Sequence, residues 1–218
     1  MARTPLLSAD SRILYLQVPL IVIAAAFTWL GVGGSPATAR LDAGAGYTRL
    51  APPLPLPDFE LESAPSGNPL RPADLAGAWT LLAVGFASCP DICPNTLSVL
   101  SRAAATLWPD TADARVLFVS VDPERDDVER LGAYAGHFGP HVRAATGTHP
   151  ALRELTHPLG LFYARSESGD PAHYAVEHAT SVLVIDPDGA VIGVLSGAEL
   201  HTEGVITALR SLLAREGA

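Results

Sequence analysis

Hydrophobic and polar positions divide the chain into an apolar run, a featureless gap and a long alternation of strand-length and helix-length patterns. The run is Ile13 to Val32, uncharged and long enough to cross a bilayer as a helix. Residues 33–57 follow, rich in Gly, Ala and Pro and ending in Ala51-Pro52-Pro53-Leu54-Pro55-Leu56-Pro57, a composition that predicts an extended spacer. From residue 58 the pattern changes. Phe59 to Ser63 alternates apolar and polar and runs into Pro65-Ser66-Gly67-Asn68-Pro69, which predicts a small leading hairpin. Trp79 to Phe86 and Arg115 to Val121 are continuous apolar runs of strand length, and Asn95 to Leu107 between them has helical spacing. Further helices are expected over about 126–137, about 150–156 and Glu199 to Arg215, and a short strand at Val142 to Ala145. Ser181 to Ile185 and Ala190 to Leu195 flank the turn signal Asp186-Pro187-Asp188-Gly189 and predict a late hairpin. Strands alternating with helices predict an α/β fold, a mixed sheet flanked by helices.

The front of the chain decides where that domain works. Arg3 and Arg12 precede the apolar run and favour a cytoplasmic N-terminus over 1–12, a bias that Arg40 and Arg49 weaken. Ala37-Thr38-Ala39 resembles a signal-peptidase site, but the run is longer than an ordinary cleaved h-region, so 13–32 is expected to be a retained anchor. Either form exports residues 58–218.

Composition removes several functions. The 218 residues carry a formal net charge of -9, and all 14 basic residues are arginine. An acidic chain with no basic cluster is a poor nucleic-acid binder. Gly31-x-Gly33-Gly34 sits at the exit of the apolar run rather than after a strand, so it is no phosphate loop.

Candidate chemistry gathers on Cys89 and Cys93, the only two cysteines, placed where a buried strand turns into a helix. Pro90 and Pro94 suit a helix's first turn. A spacing of four is about one helical turn, so both sulfurs can share one opening, and the positive end of a helix favours thiolate over thiol. The pair is thus expected to be ionised and accessible. Inert packing, a structural disulfide, a redox dithiol and a metal site all remain open at this level.

Three segments together carry a specific resemblance: Gly85-Phe86-x-x-Cys89-Pro90-Asp91-Ile92-Cys93-Pro94, Val119-Ser120-Val121-Asp122-Pro123-Glu124-Arg125-Asp126, and Tyr174-x-Val176-Glu177-His178-x-x-x-Val182-Leu183-x-Ile185-Asp186-Pro187-x-Gly189. They resemble the signature segments of the Sco/SenC family of copper-binding assembly factors for cytochrome c oxidase. The resemblance implies a thioredoxin-like fold, a site for Cu(I) or Cu(II) on Cys89, Cys93 and His178, and a redox dithiol in the same two cysteines. It also implies a bacterial inner-membrane location with the domain facing the periplasm, a copper donor protein, and delivery to the dinuclear site of oxidase subunit II. Soft thiolates and one imidazole suit Cu(I), and three ligands leave room for an acceptor's ligands to attack. Thiol-disulfide reduction of the acceptor's cysteines is the alternative. Ala179-Thr180-Ser181 lacks the proline that disulfide oxidoreductases of this fold carry beside the cysteine turn, which favours metal. Asp122 is expected near the site rim as a docking or loop-shaping acid, and His173 as an auxiliary ligand. His137, His141, His149, His157 and His201 are expected at the surface, and Glu124, Asp126 and Asp127 on a solvated face.

Overall fold

The computed structural model describes residues 40–42, 46–166 and 174–216. The chain divides into two compact units, Met1–Thr38 and Ala39–Ala218, and the first lies wholly outside the described residues, with the expected 1–12 and 13–32 segments. No helix among the described residues is long and apolar enough to cross a membrane.

The second unit holds eleven described strands: β1 Arg40–Asp42, β2 Tyr47–Pro55, β3 Leu61–Ser63, β4 Asn68–Leu70, β5 Trp79–Gly85, β6 Ala114–Ser120, β7 Val142–Thr146, β8 Tyr163–Arg165, β9 Val176–His178, β10 Val182–Ile185 and β11 Ala190–Leu195. Four described helices join them: α1 Ile92–Leu107, α2 Val128–Gly136, α3 His149–Thr156 and α4 Thr202–Glu216. Nine strands form one sheet in the order β1-β2-β11-β10-β5-β6-β7-β3-β4, and β8 pairs with β9 apart from it. β5, β6 and β7 run parallel, and the other pairings are antiparallel. This is the mixed sheet that the alternating elements predict, in the thioredoxin-like form that the resemblance implies.

Continuous apolar runs in the central strands have a simple cause: both faces of the sheet are covered. Leu81 and Ala83 of β5 and Val116 and Phe118 of β6 pack with Leu97, Leu100, Leu131, Val205 and Leu209 of α1, α2 and α4. The intervening residues Leu82, Val84, Leu117 and Val119 face the other way, towards Leu152 and Leu155 of α3 and Val176 of β9. Cys89 touches both cores.

Two features depart from expectation. Arg40–Asp42 and Tyr47–Pro55 lie in the expected 33–57 spacer, yet they form β1 and β2, which pair with each other, and β2 pairs antiparallel with β11. Pro52 and Pro53 are tolerated because the ladder breaks register there: Arg49 faces Gly193 and Leu54 faces Val191, so residues 50–53 bulge opposite Ile192 and need not all donate, while Pro55, opposite Ala190, is the last residue of the strand. β8 and β9 are the other addition, three residues each and too short to register as periodicity.

Candidate metal centre

Strand β5 delivers the chain to the site, and α1 carries it away. Between them Cys89 N–H donates to the Phe86 carbonyl (3.1 Å), which folds the loop into a turn, and Cys93 occupies the second residue of α1. Gly85 leaves the space this needs, since a Cβ there would lie 2.7 Å from Cys93 Sγ. Both cysteines are free thiols. Cys89 is partly exposed, whereas Cys93 is only 3 % exposed.

Burial corrects the expectation of an ionised, accessible pair. Desolvation pushes the Cys93 thiol up to about 12, and the Asp126 carboxylate adds to the rise. The helix N-terminus does not overcome this, because a sulfur taken out of water loses far more solvation than a half-charge at one helix end returns. In the metal-free protein Cys93 is a protonated thiol at neutral pH, and a bound cation must supply the field that ionises it.

His178 arrives from the other face of the sheet. It ends β9, where its ladder partner is Tyr163 of β8, and its ring meets Phe86 edge-on with centroids 5.8 Å apart. Its Nδ1 lies 2.9 Å from the Ala179 carbonyl, an acceptor that holds the proton on Nδ1 and leaves a lone pair on Nε2. That Nε2 lies 3.6 Å from Cys93 Sγ. The sulfurs of Cys89 and Cys93 and a His178 ring nitrogen all fall within 4.8 Å of one another. Bonds of about 2.0–2.3 Å to nitrogen and sulfur put two ligands of one ion as much as ~4.6 Å apart, so the three donors can close on a single ion with little movement. Among the described residues no other cluster of His, Cys, Asp and Glu meets this geometry.

The remaining expected residues fall elsewhere. Asp122 is 1 % exposed and does not reach the rim. Its oxygens accept the Tyr174 hydroxyl and Arg125 Nε, both at 2.5 Å. Arg125 in turn lies over the Tyr174 ring (3.8 Å) and the Phe86 ring (5.6 Å). The acid is a buried anchor for the wall against which His178 leans. His173 lies outside the described residues. His141 is not a surface residue, being 4 % exposed, with Nε2 donating to the Trp108 carbonyl at 2.8 Å. Nor is Asp126 on a solvated face: it is fully buried and accepts the Ala87 N–H, while Asp127 caps α2. Nothing local distinguishes these acids, since a carboxylate before a helix ordinarily signals a cap.

The family model described as SCO1/SenC matches residues 53–214. A human mitochondrial SCO2 homologue is 34 % identical over 119 residues, 54 % of this chain and 45 % of the relative. The chain spans about half the length of the curated relatives it matches, 43 % to 56 % for human, mouse, cow and zebrafish proteins. Among solved structures, the apo Sco1 protein from Thermus thermophilus is 36 % identical with a TM-score of 0.69, covering 81 % of this chain and 99 % of that one. Yeast Sco1 with copper bound is 26 % identical with a TM-score of 0.65, covering 73 % and 89 %.

Proposed function

Because the chain belongs to the SCO1/SenC family, we propose that it is a copper metallochaperone, carrying copper on Cys89, Cys93 and His178 to the dinuclear copper site of cytochrome c oxidase subunit II. The observation that carries this reading is the convergence of two thiols and one imidazole nitrogen within 4.8 Å. Thiolates are soft donors, and a three-ligand site leaves the cation open to a fourth donor from an acceptor, so transfer proceeds by ligand exchange. Cys89, the more exposed thiol, is the one an incoming ligand displaces first; Cys93, held in the core, lets go last and recovers its proton as copper leaves. His178 contributes a neutral donor whose orientation is fixed by the Ala179 carbonyl. The uncharged 13–32 segment anchors the domain at the outer face of a bacterial inner membrane, in reach of a periplasmic copper donor and of the oxidase.

One observation favours a second reading, thiol-disulfide exchange with the acceptor's cysteines: a partly exposed free thiol stands beside a buried one. The two readings separate in one experiment on the detergent-solubilised full chain. Wild type, Cys89→Ser and His178→Ala are titrated with Cu(I) against a chromophoric chelator and then mixed with apo subunit II domain, reduced or oxidised. The chaperone reading requires wild type to load the reduced acceptor, both variants to lose tight binding, and His178→Ala to keep its exchange with the oxidised acceptor. Wild-type Cu(I) affinity in His178→Ala overturns the imidazole's assignment, and a wild type that reduces the acceptor without loading it favours the second reading.

A further inference from the structure

The three ligands are not equally supported. Cys93 rides on a buried helical turn and His178 on a strand ladder, but Cys89 stands in a loop. Helix capping does not hold that loop, since Asp91 at the cap of α1 makes no side-chain cap hydrogen bond. Two side chains from the β6–α2 region hold it instead. Asp126 Oδ2 accepts the Ala87 N–H at 2.7 Å and the Ser120 hydroxyl at 2.6 Å. Asp126 Oδ1 has no hydrogen-bond partner and lies 3.4 Å from Arg130 Nε. Arg130 Nη2 then donates to Ser88 Oγ at 2.9 Å. The two residues immediately before Cys89 are therefore each tied to one member of an Asp–Arg pair.

We propose that Asp126 and Arg130 are positioning residues for Cys89: the buried carboxylate and the guanidinium beside it set Ala87 and Ser88, and through them the distance of the Cys89 sulfur from Cys93 and His178. A carboxylate with no exposure carries a desolvation cost that a helix cap would not require, and Asp127 already accepts the Arg130 N–H at the head of α2. What Asp126 adds is a charge-assisted hydrogen bond to loop backbone, stronger than a neutral one and directional. With it the loop presents Cys89 already in place; without it the loop must be ordered each time an ion arrives, and affinity falls by that ordering cost. This inference rests on the copper reading above and assigns to it two residues that touch no ligand atom.

The test measures Cu(I) affinity by chelator competition and coordination number by copper K-edge absorption, on the full chain carrying Asp126→Ala, Asp126→Asn, Arg130→Ala or Ser88→Ala. Asp126→Ala should weaken Cu(I) binding about tenfold or more, the scale of a lost hydrogen bond to a charged group. Its edge should move from three-coordinate towards two-coordinate, a change that loss of global stability alone does not produce. Asp126→Asn keeps an oxygen for Ala87 and Ser120 and should recover most of the affinity. Arg130 is half exposed and Ser88 exposed, so Arg130→Ala and Ser88→Ala should each fold, bind several-fold more weakly and show a partial edge shift, which keeps the test decisive if Asp126→Ala does not fold. Wild-type affinity and a three-coordinate edge in Arg130→Ala and Ser88→Ala, or in Asp126→Ala, overturn the positioning role while leaving the copper site intact. A wild-type chain that takes up no copper overturns the site and this inference together.

Discussion

Replacing Gly85 with alanine tests whether the packing beneath the cysteine turn sets the site. A Cβ at this position would sit 2.7 Å from Cys93 Sγ, 2.7 Å from Phe118 Cε2 and 3.2 Å from Phe118 Cζ. Ordinary contact begins at 3.4 Å, so each of the two closest atoms must retreat by 3.4 − 2.7 = 0.7 Å or share that shift with the β5 backbone. Both side chains are buried, Phe118 1 % and Cys93 3 % exposed, so the shift falls on their packed neighbours. Overpacking of this kind costs about 1–3 kcal/mol. For a domain of this length that lowers Tm by roughly 2–12 °C. The metal should suffer independently, because a sulfur moved by several tenths of an ångström exceeds the ~0.2 Å within which metal–ligand distances ordinarily fall. Differential scanning calorimetry of the metal-free chain and chelator competition for Cu(I) read the two effects separately. Gly193→Ala is the control: its Cβ would strike the Tyr47 ring between β11 and β2, away from the cysteines, so it should lower Tm and leave Cu(I) affinity unchanged. The reasoning fails if Gly85→Ala keeps wild-type affinity, or if Gly193→Ala loses as much.

Three further outcomes follow from the same geometry. Cu(I) loading at pH 7 should release at least one proton per copper from Cys93, whose thiol burial pushes up to about 12; a pH-stat trace with no release would contradict this. Iodoacetamide at pH 7 should modify Cys89 and spare Cys93 in the metal-free chain, a ranking that peptide mass spectrometry reads directly, and equal labelling would refute the burial argument. Burial, and then the Asp122 carboxylate, push the Tyr174 phenol up to about 12, above the ~10 of an unfolded tyrosine. The folded state thus holds this proton more tightly, and its contribution to stability is intact below about pH 10 and lost as pH rises towards 12. Tyr174→Phe should destabilise the chain by about 1.5–3 kcal/mol at neutral pH, by removing a hydrogen bond to a buried carboxylate, and should flatten the alkaline fall in chemical-denaturation midpoints.

Much of the fold is local and therefore legible. The apolar runs at 79–86 and 115–121 have the length of strands covered on both sides, and they became β5 and β6 with side chains alternating between two cores. A helical period beginning just past two cysteines placed Cys89 before α1 and Cys93 within it. Local pattern could not say how deep a side chain would lie, and the errors cluster there. Cys93, Asp122, Asp126 and His141 were each read from neighbours in sequence as exposed or rim residues, and each is buried by elements distant in the chain. The prolines of 51–57 concealed β2 because a broken register is a property of a pair of strands, not of one.

By itself the sequence determined the alternation of elements, the sulfur pair at a strand-to-helix turn and a family resemblance that nominated His178. Only the tertiary structure decided that residues 85 positions apart would bring Nε2 to 3.6 Å from Cys93 Sγ, through a hairpin too short to leave a periodic trace. It also decided that Cys93 would be a buried thiol, since the free energy of a charge depends on the solvent that remains around it, and that is a property of the assembled core rather than of any stretch of chain.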